Sequence, residues 1–377
     1  MKLKNALVYG SDFRFSQGEL NWEGERITTA SGDSLCVDAG GCYVVPGLID
    51  LHFHGCMGHD FCEGTPAATR TIARYEAQNG VTGICPATMT LPEETLLQIA
   101  VNAADFAAAK EQSCALLQGL HLEGPFLSHR KKGAQNGDYL READLSLFHR
   151  LQQAAGGLVK IVSIAPEIPG AFDFIEKARD EVVLSLAHTA ADYATAHKAL
   201  EGGITHATHL YNAMTPFSHR EPGAVGAVWE DTRCRAELIC DGVHLHPAAV
   251  RLSFRILGED RIILISDSME ATGMMDGEYQ LGGQRVTVQG KRATLADGTI
   301  AGSATNLMNC MRTAVLEMGI PLESAVRCAT YNPARELGIG EECGSLLPGL
   351  RADFVLLEPQ TLRTRAVWLG GECIAEY

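Results

Sequence analysis

The stretch Pro46-Gly47-Leu48-Ile49-Asp50-Leu51-His52-Phe53-His54-Gly55 decides how this chain is to be understood. Val44, Val45, Leu48, Ile49 and Leu51 form a short apolar run, the pattern of a buried β-strand. Alternate residues of a strand share a face. His52 and His54 therefore project together, with apolar neighbours on the other side. Two imidazoles side by side at a strand end suit a divalent metal. A lone H-x-H beside a glycine turn is commonly just a surface pair, so the weight falls on the rest of the chain.

Downstream, strand-like and helix-like segments alternate, the signature of parallel βαβ units. Apolar runs at 43–51, 83–87, 116–122, 159–165, 182–187, 205–210, 236–240 and 262–266 make eight strands. Eight predicts an α/β fold of the closed (β/α)8 TIM-barrel type over 46–345. Helix punctuation supports it: Thr65-Pro66 opens one helix and Gly80 stops it, and 190–200 ends at Gly202-Gly203. A glycine-rich hairpin at 280–299 reads as an insertion after strand eight, and helices come next at 306–318 and 322–330. Residues 1–45 and 346–377 share a texture of short strands broken by turns. Neither end holds a core alone, so the two are expected to pair as one small β-sandwich domain.

Chemistry in such a barrel sits at the C-terminal ends of the strands. Here those ends carry His52 and His54, then Glu123, His188, His209, His244 and Asp267. Histidine with carboxylate and without cysteine indicates zinc, iron or a similar divalent ion in a hydrolytic site. Such an ion brings the pKa of bound water toward neutrality, and Asp267 is placed to move its proton to a leaving group. His59, His129, His149, His197, His206, His219 and His246 lack strand-end placement and are expected on the surface or in packing. His121 faces the same side as Glu123 and either orients a ligand or packs. Lys131 and Lys132 are expected in solvent, from where they could attract an anion.

Composition fits a metabolic enzyme. The 377 residues are 46% hydrophobic and 20% charged. A net charge of −15 argues against nucleic acid or an anionic membrane surface as partner. No apolar run spans a bilayer and no leader follows Met1. Twelve cysteines without a C-x-x-C pair predict reduced thiols in the cytoplasm.

These motifs together resemble the amidohydrolase superfamily and, within it, the N-acetylglucosamine-6-phosphate deacetylases. The first likeness rests on Asp50-Leu51-His52-Phe53-His54, the later single histidines and Asp267. The second rests on His121-Leu122-Glu123-Gly124-Pro125-Phe126, Lys132-Gly133-Ala134-Gln135-Asn136, Thr208-His209-Leu210-Tyr211-Asn212-Ala213-Met214, Arg220-Glu221-Pro222-Gly223 and Asp241-Gly242-Val243-His244. The resemblance implies that Glu123, His188 and His209 hold the principal ion. His52 and His54 would complete a second position, with Glu123 shared and Asp267 the acid/base. It implies a phosphorylated amino sugar as substrate, contacted by Ala134, Gln135, Asn212, Ala213, Arg220, His244, Ile300, Ala301 and Gly302. It also implies a homodimer in which Arg220 reaches the neighbouring site. Two departures stand out: Gln135 where some relatives carry histidine, and Ser268 where alanine is common. The rival readings are another amide hydrolase of the superfamily, such as a cyclic amidase or an amino-acid deacetylase, and a non-catalytic barrel. The first commonly needs a carboxylated lysine after strand four, where this chain has Ala165-Pro166-Glu167.

Overall fold

The run 43–51 is two strands rather than the one expected. The computed structural model describes residues 1–29 and 35–377. In it Tyr43–Pro46 pairs with Phe354–Leu357, antiparallel, and with Lys2–Tyr9, whereas Leu48–Asp50 pairs in parallel with Val81–Ile84. Gly47 is the break. A Cβ there would lie 2.1 Å from Thr82 Oγ1, so only glycine lets the chain turn from one sheet to the other against that neighbour.

Nine parallel segments run on from this point, in two sheets. Leu48–Asp50, Val81–Ile84 and Leu116–Leu117 form one, and Leu120–Leu122, Val159–Ile164, Val183–Leu186, His206–Ala207, Arg235–Ile239 and Ile262–Ile265 the other. The run 116–122 splits at Gly119, where a Cβ would meet Lys160 Cγ at 2.5 Å. A parallel bridge from Ala87 to His121 links the two sheets. Asp267 N donates to His52 O (3.0 Å) and His54 N to Ser268 O (2.7 Å), so the first and last strands meet at their C-terminal ends. The parallel structure is thus curled. Ile49, Leu51, Cys85, Ile161, Ile239, Ile263 and Ile265 touch across its interior although they come from different strands.

Helices cover the outside, and several start where the sequence supplies a cap. Thr65 caps Pro66–Gln78, Asp192 caps Tyr193–Gly202 and Asn306 caps Leu307–Leu316. Their apolar faces join the main core, which includes Ile72, Ala196 and Leu200. None of the helices among the described residues is long and apolar enough to cross a membrane.

Both chain ends contribute to one eight-stranded sheet running Glu372–Glu376, Thr364–Leu369, Phe354–Leu357, Tyr43–Pro46, Lys2–Tyr9, Phe15–Glu23 and Arg26–Thr28, with Cys36–Asp38 also on Lys2–Tyr9. Trp22, Phe354 and Trp368 form its centre, with the last two rings stacked 4.8 Å apart. The expected hairpin is larger than predicted. Gly277–Leu281, Gln284–Gln289 and Arg292–Thr294 form a three-stranded antiparallel sheet. Leu281, Val286 and Val288 set that sheet on Met89 and Met269 beside the strand ends. Met269 is buried packing, while Met274 and Met275 face solvent. All twelve cysteines are free.

Candidate metal centre

Six of the predicted residues converge where the parallel strands end. Glu123 Oε1 lies 3.0 Å from His188 Nε2 and 2.9 Å from His209 Nε2, and those two nitrogens are 3.1 Å apart. Glu123 Oε2 lies 3.3 Å from His54 Nε2 and 3.6 Å from His52 Nε2. Asp267 Oδ1 is 3.2 Å from His54 Nε2 and 3.8 Å from His52 Nε2. All six side chains are buried.

The local backbone shows why strand ends deliver these groups. His188, His209 and Asp267 have φ of 41°, 28° and 51°. Each costs on the order of 1–3 kcal/mol in a region that side-chain-bearing residues avoid. A left-handed residue ends a strand abruptly and turns its side chain inward. The expected strand over 205–210 consequently stops at Ala207. Asp50, in the same D-x-H-x-H motif, does a different job. It accepts from Ser266 Oγ at 2.5 Å and from His52 N at 3.3 Å, tying the first strand to the last. Burial pushes its carboxyl up to about 7.

The donor set fits a divalent cation. Two imidazole nitrogens facing each other and one carboxylate oxygen, at 2.9–3.1 Å, form a triangle. Ligands about 2.0–2.2 Å from a tetrahedral metal are separated by roughly 3.3–3.5 Å, so the triangle is close to what an ion requires. His52 Nε2 is buried, aimed into the cluster, and has no hydrogen-bond partner among the described residues. Electrostatics agree. Burial opposes charging the imidazoles, yet Glu237 and Glu123 hold His52 well above the usual histidine range. Asp267 and Glu123 lift His54 to about 10, again against burial. Without an ion, the carboxylates of Glu123 and Asp267 favour the protonated forms of His52 and His54. Both carboxyls stay below their ordinary range despite burial, Glu123 through His52, His188 and His209, and Asp267 through His54 and His52. A site that pulls in positive charge this strongly is built for a cation.

Above the cluster lies a cavity of about 360 Å³, small but within the range of small-molecule sites. Ala134, Gln135, Asn212, Ala213, His244, Ile300 and Gly302 line it, as the sequence suggested. Ala301 does not, because it packs among Met89, Met269 and Leu281. Nor does Arg220, which is exposed on the loop before Gly223–Glu230. Gln135 is bonded at both ends of its amide: Nε2 donates to Glu123 Oε2 at 2.9 Å, and Oε1 accepts from Thr90 N at 2.7 Å. It therefore fixes the orientation of Glu123. His244 Nδ1 donates to Asp241 Oδ2 at 2.8 Å, which leaves its other nitrogen for a ligand.

Several residues of the site escape sequence reasoning. Arg130, exposed, and Lys131, half-buried, both on the short turn His129–Lys131, line the cavity. The turn folds back because His188 Nδ1 donates to Lys131 O at 2.9 Å. His121, bonded through Nε2 to Ser163 Oγ at 2.8 Å, lies beneath the cluster with its ring 4.6 Å from that of His52. Burial and the neighbouring His52 push it down to about 3, so it is neutral. Glu237 and His206 are fully buried beside His52. A carboxylate inside the apolar strand Ala236-Glu237-Leu238-Ile239-Cys240 was the available signal, since a buried charge demands a partner.

Comparison with known proteins agrees with this geometry. Residues 43–374 match the Amidohydrolase family. A Bacillus subtilis (strain 168) protein named N-acetylglucosamine-6-phosphate deacetylase is 40% identical over 317 residues, covering 83% of this chain and 80% of that protein. An N-acetylgalactosamine-6-phosphate deacetylase from Escherichia coli O157:H7 is 35% identical over 347 residues, covering 92% and 89%. Among solved structures, N-acetyl-D-glucosamine-6-phosphate deacetylase from Mycobacterium smegmatis, an aspartate-to-alanine variant in complex with N-acetyl-D-glucosamine-6-phosphate, has a TM-score of 0.92 at 35% identity. It covers 100% of this chain and 99% of that one. The chain belongs to the amidohydrolase family, in the branch of the N-acetylglucosamine-6-phosphate deacetylases.

Proposed function

We propose that this chain is a cytoplasmic metal-dependent deacetylase. It hydrolyses the acetamide of N-acetyl-D-glucosamine 6-phosphate to D-glucosamine 6-phosphate and acetate at the end of a closed eight-stranded barrel. The observation that carries the reading is the convergence of Glu123, His188, His209, His52, His54 and Asp267 beneath one small cavity. Glu123, His188 and His209 would hold one ion, and His52 and His54 with the shared Glu123 a second, zinc or iron by donor type. When bound, such ions polarise a carbonyl and bring the pKa of water toward neutrality.

The chain's own groups supply the rest. Asp267, held ionised by His54 and His52, takes a proton from the attacking water as its oxygen bonds to the acetamide carbon. It returns that proton to the sugar nitrogen as the C–N bond breaks, so that acetate and a free amine leave. Gln135 and Thr90 keep Glu123 from rotating. His244, positioned by Asp241, takes the phosphate with the Asn212 and Ala213 backbone. Arg130 and Lys131 add charge at the rim. Arg220 lies outside its own chain's cavity and would serve the site of a second copy in a homodimer, its planar fork matching phosphate.

The test is acetate release from N-acetylglucosamine 6-phosphate, its galactosamine epimer and the unphosphorylated sugar, with metal content measured on the same sample. A clear preference for the glucosamine phosphate is expected. Preference for the galactosamine epimer would keep the chemistry and change the sugar. Equal use of the unphosphorylated sugar by metal-loaded protein would remove the phosphate assignment. A cyclic amidase or amino-acid deacetylase reading lacks its bridging lysine, since Lys160 is near the start, not the end, of Val159–Ile164.

A further inference from the structure

Beneath the cluster, on the side away from the cavity, four charged side chains form one chain of contacts, three of them buried and the fourth, Arg235, half-buried. Glu237, from Arg235–Ile239, is fully buried. Its Oε2 accepts from His52 Nδ1 at 2.8 Å and from the His209 backbone N at 2.9 Å. Its Oε1 accepts from His206 Nε2 at 3.0 Å, and His206 Nδ1 donates to Glu336 Oε1 at 2.8 Å. Arg235 closes the chain by an ion pair to Glu336 Oε2.

Donor logic fixes the charges. Ionised carboxylates only accept, so His206, facing one at each ring nitrogen, carries both protons and is an imidazolium. The sequence from the barrel floor upward is then cation, anion, cation, anion: Arg235, Glu336, His206, Glu237. The last anion meets His52 at Nδ1. That bond keeps a proton of His52 on Nδ1 and leaves Nε2, which has no hydrogen-bond partner among the described residues, as the ring atom that faces Glu123 and Asp267 and would take an ion.

We propose that Glu237 is a positioning residue of the metal centre. It sets the tautomer and orientation of His52, anchors the His209 backbone, and is itself held in place by His206, Glu336 and Arg235. The inference rests on the proposed role of His52 and His209 as metal ligands. A carboxylate behind a ligating imidazole raises its basicity and fixes its ring, and losing such a partner costs about 10- to 100-fold in metal affinity. His52 belongs to the second ion position, while His209 is held only through its backbone. The loss should therefore fall on one of the two ions.

Metal-free protein titrated with Co²⁺ and followed by its visible spectrum reads the two positions separately, without substrate. The wild type is expected to fill two. Glu237→Gln, which cannot accept all three bonds, is expected to fill the first normally and the second about 10- to 100-fold more weakly. Glu336→Gln keeps the shape of the side chain but removes the charge that holds His206 protonated, and its single amide oxygen can accept from only one of His206 and Arg235. It is expected to weaken the same second position by less, and it carries the test if Glu237→Gln does not fold. Whichever folded variant carries the test, wild-type constants for both ions would overturn the proposal. A wild type that binds no ion would overturn the metal-centre reading and this one with it. Two ions with unchanged constants in Glu237→Gln would overturn this one alone.

Discussion

Asp267→Asn is the substitution that separates proton transfer from architecture. The two side chains have nearly the same shape, and the backbone bonds that hold position 267 do not involve the carboxyl: its N donates to His52 O at 3.0 Å and its O accepts from Ser303 N at 2.7 Å. The amide oxygen can still face His54 Nε2, 3.2 Å from the present Oδ1. What is lost is the ability to take and return a proton. General acid–base catalysis of this kind contributes about 10²–10⁴-fold, or about 2.7–5.4 kcal/mol at about 1.36 kcal/mol per tenfold. Steady-state acetate release, run beside metal analysis of the same samples, should show kcat lower by that factor with KM and metal content little changed. Turnover close to wild type would refute the acid/base assignment. A fall in metal content matching the fall in kcat would show Asp267 acting as a ligand instead.

Three further perturbations probe the metal, the strand break at Gly47 and a buried acid. Chelation to metal-free protein should abolish activity and lower the midpoint of thermal unfolding, because ions that bind only the folded state stabilise it; a divalent ion should restore both, and activity surviving verified metal removal would contradict the site. Gly47→Ala should destabilise by about 1–3 kcal/mol or more, since its Cβ would lie 2.1 Å from Thr82 Oγ1 and 2.5 Å from Cγ2. Denaturant unfolding checks this, with Thr82→Ala expected to recover most of the loss. Glu76 is fully buried with neither carboxylate oxygen partnered among the described residues, and burial, with Asp50 adding to it, holds its carboxyl well above 4.5. A raised folded pKa means stability present below the unfolded value and lost as pH rises. Relative to Glu76→Gln, the wild type should therefore lose up to about 1.4 kcal/mol per pH unit as pH rises above the ordinary carboxylate range; parallel stability curves would refute the raised carboxyl.

Much of the site was legible because strand alternation and an abrupt end to an apolar run are local signals. They placed His52, His54, Glu123, His188, His209 and Asp267 without any knowledge of what packs against them. What escaped depends on contacts between distant segments. His206 begins its strand instead of ending it, so the strand-end rule passed over it, yet its partners Glu237 and Glu336 come from 31 and 130 residues away. Lys131 looked like a solvated charge, and Arg130 drew no reading, because nothing local says that the turn bearing them folds back over the cavity. Their placement follows from bonds to His188, whose Nδ1 donates to Lys131 O and whose carbonyl accepts from Ser128 N. The breaks at Gly47 and Gly119 were invisible for the same reason. Each exists because a side chain from another strand, Thr82 or Lys160, fills the space that a Cβ would need.

The charge distribution shows how an acidic protein can host an anionic substrate. A net charge of −15 would repel a phosphate if charge acted at long range. Screening confines exposed charges to about 8 Å at physiological ionic strength, so the surface acids matter little inside the cavity and the lining decides. Of the charged residues there, Arg130 and Lys131 make no ion pair among the described residues. His244 is held above its usual range by Asp241 in spite of burial, which favours its cationic form beside the cavity. The acids nearest the site are already committed: Glu123 and Asp267 to the histidine cluster, Asp241 to His244, and Glu237 to His52 and His206. Glu123, Asp267, Asp241 and Glu237 thus each have a cation or a proton donor assigned, and under the proposed function the unpaired Arg130 and Lys131 at the rim would meet the phosphate.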